Sequence, residues 1–159
     1  MSNASRIEIS EGMKTSIIRI YNYRDKNPTG SFYNVYYGEE IAFGNLTRML
    51  LLIDDMMNQM DSPQASVQSR RFTGKAKQPE RASMAQQRLP IAAQEVIATF
   101  IVKVIFRQGA SWQGMLTWIE GEKEVSFRSA LEMIKLMDGA LPQPEPCKQV
   151  LDSKVPKTG

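Results

Sequence analysis

Apolar and polar positions fall into two similar stretches along the chain. Each opens with an alternating β-branched run, SIIRIYNY from Ser16 and TFIVKVIF from Thr99, the signature of a half-buried strand. A turn signal follows in each. RDKNPTGS carries Asn, Pro and Gly, RQGASWQG carries two Gly, and each leads into a second aromatic run, FYNVYY or MLTWIE, which predicts a hairpin. YGEE and EGEK mark a further tight turn before short segments ending at Phe43 and Phe127, each expected to form a third strand. The period then becomes helical. Leu46, Met49, Leu50, Ile53 and Met57 form one apolar stripe, and Ala130, Met133, Ile134, Met137 and Leu141 form another. Ser129 stands where its hydroxyl caps a first turn while Glu132 reaches back, and Asn45 holds the same place before the first helix. Gly139, Pro142 and Pro144 close the second helix.

Sliding the chain on itself by 84 positions pairs Thr15 with Thr99, Ile17 with Ile101, Gly30 with Gly114, Glu40 with Glu124, Phe43 with Phe127, Met49 with Met133 and Asp54 with Asp138. Conservative pairs lie between these identities, among them Arg19 with Lys103 and Ile41 with Val125. One unit, used twice, accounts for this. The expected fold is α+β: an internal duplication of a β-β-β-α (or β-β-α) unit, with an antiparallel sheet and two helices packed on one face. The expected organisation is a first unit over 1–60, a basic flexible connector over 61–95, a second unit over 96–141 and a Pro-rich tail over 142–159.

Composition excludes more than it assigns. The longest apolar run, Met49 to Ile53, is far short of the roughly 20 residues that span a bilayer, and the start MSNASRIEIS has no basic-then-apolar leader, so the expected location is cytoplasmic, away from membranes. The lone Cys147 cannot form an internal disulfide. Histidine is absent, which removes the commonest general base and zinc ligand. Asp54 and Asp55 are adjacent and diverge on a helix, so no paired-carboxylate metal site is expected, and no phosphate-binding glycine loop is present. The expectation is a protein without catalytic residues, cofactor or metal.

The net charge of +3 is unevenly placed. Residues 61–90 hold Arg70, Arg71, Lys75, Lys77, Arg81 and Arg88 against Asp61 and Glu80, a balance of +4, which leaves −1 for the rest. Strand alternation puts Ile18, Ile20, Val102, Val104 and Phe106 toward the helices. It leaves Arg19, Tyr21, Tyr23, Lys103, Ile105 and Arg107 on the opposite face. That mixture suits nucleic acid, where rings stack on unpaired bases and cations meet phosphate, with Arg70, Arg71, Lys75 and Lys77 adding charge from the connector. The same surface also suits packing against a second chain. Trp112 and Trp118, an even number of positions apart, are candidate partner-binding anchors on one strand face; as plain core residues they need no partner.

The segments FRQGASWQGMLTWIE and FRSALEMIKLMD, with IRIYNY, NPTG and FGNLTRMLLLIDDMM in the first half, resemble a group of small uncharacterised proteins of gut Firmicutes, some carried on mobile elements. The resemblance implies a role in plasmid, transposon or phage biology and brings no activity with it. The leading expectation is a non-enzymatic module that binds nucleic acid, single-stranded DNA or RNA. The alternatives are a protein-binding adaptor or inhibitor, directed for example at a host or defence protein, and a structural homo-oligomer such as a homodimer.

Overall fold

The computed structural model describes residues 12–60, 94–108 and 111–143. The elements in chain order are β1 (Thr15–Arg24), β2 (Asn27–Asn34), β3 (Glu40–Phe43), α1 (Leu46–Met60), β4 (Ala98–Gln108), β5 (Ser111–Trp118), β6 (Lys123–Phe127) and α2 (Ala130–Ala140). The six strands form one sheet in the order β3-β2-β1-β4-β5-β6, every neighbouring pair antiparallel. The protein is α+β, as its pattern predicts.

The first turn is tighter than expected. Arg24 pairs directly with Asn27, so the loop is only Asp25 and Lys26, both with left-handed φ (50° and 61°), the geometry of a type I′ hairpin. The N-P-T-G segment therefore belongs to β2 and not to the turn. Pro28 is tolerated there because it pairs with Tyr23 one step from the turn, where the backbone N–H points away from β1, and β3 reaches only as far as Gly30.

Residues 84 apart occupy matching places in the sheet. The central pairing of β1 with β4 sets Ile17 opposite its counterpart Ile101, with Thr15 opposite Lys103 and Arg19 opposite Thr99, so the pairs on either side of Ile17 and Ile101 mirror each other in a local two-fold relation. Register breaks fall between Ile20 and Asn22 on β1 and between Val104 and Phe106 on β4. Gly30 and Gly114 each lie against a neighbouring backbone: an added Cβ would sit 1.9 Å from the carbonyl oxygen of Arg19 or of Lys103. Gly38 and Glu122, also 84 apart, both take left-handed φ, at 66° and 49°.

Both helices lie on one face. Their buried residues join Ile18, Ile20, Phe32, Phe43, Phe100, Val102, Val104, Leu116 and Phe127 in one hydrophobic cluster that spans both halves. The Asn45 side chain accepts from the Arg48 N–H at 2.7 Å, and the Ser129 hydroxyl accepts from the Glu132 N–H at 3.0 Å. Glu132 returns the contact by accepting from the Arg128 N–H at 2.7 Å, a reciprocal cap. The buried stripe of α1 is Met49, Leu52, Ile53, Met56 and Met57, rotated from the expected one so that Leu46 and Leu50 lie at its edge.

Candidate functional site

Strand pairing sorts every paired side chain, because directly opposed residues point to the same side of a sheet. The helix-free face carries Ile17 and Arg19 of β1, Thr29, Ser31 and Tyr33 of β2, and Glu40 of β3, and Tyr21, the unpaired residue of the β1 break, is placed there by its hydroxyl contact with Ser31. Beyond the centre it carries Ile101, Lys103 and Phe106 of β4, Gln113 and Met115 of β5, and Glu124 of β6. Among the described residues no element packs on this face. Phe106 is 57% exposed and Ile105 37%, large values for apolar side chains in a sheet.

A chain of polar contacts orders the first half of the face. Arg19 Nη1 donates to Glu40 Oε1 at 2.6 Å, and the Ser31 hydroxyl donates to the same oxygen at 2.5 Å. A hydroxyl has one proton, so Ser31, having donated to Glu40, receives the Tyr21 hydroxyl at 2.8 Å. The Tyr21 ring is thereby held in place by its tip. The corresponding places in the second half are Met115 for Ser31 and Ile105 for Tyr21, so that end of the face is apolar. Glu124 instead accepts from the Thr117 hydroxyl at 3.1 Å.

Two expected members lie on the other side. Tyr23 and Arg107 follow the two register breaks, and each break inserts one residue that reverses the alternation beyond it. Tyr23 consequently faces the helices, where its hydroxyl donates to Asp138 of α2. Burial, and then the hydrogen bond to Asp138, push the Tyr23 phenol up to about 12. Hydrogen bonds from Lys26 and Tyr23 in turn hold the Asp138 carboxyl below its usual range, with Lys26 Nζ at 2.8 Å. Arg107 is 8% exposed and reaches Asp54 Oδ1 at 3.1 Å and Asn58 Oδ1 at 2.8 Å, both on α1. The same breaks turn Phe106, expected against the helices, onto the open face.

Trp112 and Trp118 share the helix side, paired with Arg107 and Phe100, and pack half-buried against the core. Arg70, Arg71, Lys75 and Lys77 lie outside the described residues. The structure thus brings together Arg19, Tyr21 and Lys103 and separates them from Tyr23, Arg107 and the two tryptophans. It adds Tyr33 and Phe106. Tyr33 was legible as an odd-numbered partner of the face; Phe106 was not, because nothing in IVKVIFRQ marks the inserted residue.

Charges on the face nearly cancel, with Arg19, Lys103 and, at the β1–β2 end, Arg24 against Glu40 and Glu124. Among the described residues no cluster of three or more His, Cys, Asp or Glu side chains is placed to hold a metal ion. No described helix is long and apolar enough to cross a membrane. Comparison with protein-family models, with curated proteins and with solved structures returns no match.

Proposed function

We propose that the chain is a non-enzymatic module that binds single-stranded nucleic acid across the open face of its sheet. The observation that carries this reading is a six-stranded surface that no described element covers, on which Tyr21, Tyr33 and Phe106 accompany Arg19 and Lys103. Rings on such a surface meet bases face to face only when the bases are unpaired, which selects single strands over duplex. Because the face itself carries little net charge, most phosphate attraction is assigned to the connector, through Arg70, Arg71, Lys75 and Lys77. The resemblance to Firmicutes proteins makes mobile-element biology in the cytoplasm the proposed setting. We also propose that the two halves arose by duplication, supported by the matching register breaks, glycines and helix caps 84 residues apart.

Fluorescence anisotropy with labelled oligothymidylate and a duplex of equal length, over a salt series, tests the reading. The single strand is expected to bind more tightly. Tyr21→Ala should weaken it roughly tenfold, in the range of one lost stacking contact at about 1–3 kcal/mol. Neutralising the four connector cations should flatten the salt dependence. Absence of binding at low salt, or wild-type affinity in Tyr21→Ala, would overturn the proposal. The small net charge and the exposed Ile105 and Phe106 favour, as a second reading, association of this face with another chain. Sedimentation velocity of Phe106→Ser against the wild type separates the two: only the second reading expects a dimer that the substitution dissolves.

A further inference from the structure

On the opposite side of the sheet from the proposed nucleic-acid surface, a cavity of about 280 Å³ opens between α2 and the strands β4, β5 and β6. Phe100, Leu116, Trp118, Val125 and Leu136 form its apolar walls, and Lys123 and Lys135 stand among its lining, which holds no carboxylate. Neither ammonium group makes an ion pair or hydrogen bond among the described residues. At a share of about 30 Å³ per liquid water, the space would hold roughly nine waters, well beyond a packing defect.

The first half of the chain shows what the cavity lacks. Two of the four α2 positions that border it, Gly139 and Ala140, correspond to Asp55 and Met56 of α1, and Met56 is 1% exposed, filling the space under its helix. Ser16, which corresponds to Phe100, donates its hydroxyl toward the Met56 sulfur at 3.5 Å. Asn34, in the place of Trp118, is fully buried, with its Nδ2 bonded to the carbonyls of Met13 and Thr15 at 2.8 Å. The two rim lysines correspond to Glu39 and Leu51, so positive charge is confined to the open version. Packing of this fold therefore has a filled solution, and the second half departs from it by shortening side chains on the helix while placing two cations at the opening.

We propose that this cavity is a binding site for a small organic anion with an apolar body, such as a medium-chain carboxylate. The chain or ring of the ligand lies against Trp118, Leu116 and Phe100, and its acidic head lies between Lys123 and Lys135. An uncharged ligand would gain the apolar contacts and miss the head contacts; a cation would meet like charge at the opening.

Isothermal titration calorimetry of the full chain with octanoate, and with 1-octanol as the uncharged control, tests this. Octanoate is expected to bind with a dissociation constant on the order of 0.1–1 mM, in keeping with a ligand of this size, and 1-octanol about tenfold more weakly. Lys123→Gln with Lys135→Gln should remove that difference. Ala140→Met, which restores the filled arrangement of the first half, should abolish both heats while leaving the far-UV spectrum unchanged. The proposal is overturned if octanoate gives no saturable heat, if the lysine double variant binds it as well as the wild type, or if a folded Ala140→Met chain still takes it up. The lysine variant decides the matter even where Ala140→Met fails to fold, because both lysines are exposed.

Discussion

Asp138 receives the Tyr23 hydroxyl and the Lys26 ammonium, both from the other half of the chain, and Arg107 makes the reverse connection to Asp54. Each contact joins the end of a long strand to the helix of the opposite half. Asp138 is held ionised by its donors, so its folded value lies below the unfolded one. Its contribution to stability is therefore present above about pH 4 and is lost as pH falls through the lowered folded value. Tyr23 works with the opposite sign. Raised from 10.0 to about 12, it stabilises fully below pH 10, and that contribution fades as pH rises toward 12. Urea unfolding across pH should show Tyr23→Phe losing part of the alkaline decline. Asp138→Asn should be less stable than wild type at neutral pH and show a shallower acid decline. Tyr37, also raised to about 12 by burial and by Asp55, keeps some alkaline decline in both variants.

Glycine substitutions separate backbone contact from free space at the level of single elements. Gly30→Ala or Gly114→Ala drives a Cβ to 1.9 Å from a carbonyl oxygen of the neighbouring strand, so one of the two backbones must move. A loss of about 2–3 kcal/mol is expected for each, at the upper end for overpacking. Gly139→Ala meets nothing within 4 Å on an exposed turn of α2 and should gain about 0.5–1 kcal/mol from helix propensity. Chemical denaturation of the three variants checks both signs. The six strands and two helices were legible because their hydrophobic periods are strong, and both helix caps were legible in Asn45 and Ser129. The register breaks were not. They insert Tyr21 and Ile105, ordinary strand residues, and the inserted residue is set by pairing with a neighbour strand and not by its own chemistry. That single hidden feature moved Tyr23 and Arg107 off the candidate surface and brought Phe106 onto it. The cavity escaped for a related reason: Gly139 reads in sequence as a helix stop, and only its place in the cavity lining gives it another meaning.

At the scale of the whole molecule, the pairing of β1 with β4 and one continuous core tie the two halves together. They should unfold in a single step. All five tyrosines lie between Tyr21 and Tyr37, and both tryptophans lie at 112 and 118, so tyrosine absorbance reports one half and tryptophan fluorescence the other. Coincident thermal transitions are expected, and a separation between the probes would mean that the halves are independent units. This rigidity matters for the proposed activity, since a surface shared by β1 and β4 exists only while the halves stay joined. The most direct test of that activity is amide chemical-shift mapping of the ¹⁵N-labelled chain during titration with oligothymidylate. Shifts concentrated on β1, β2 and β4, with broadening at Tyr21 and Phe106 and little change along α1 and α2, are the expected result. Shifts confined to the helices, or none at any residue of the sheet, would contradict the assignment of the open face as a nucleic-acid surface.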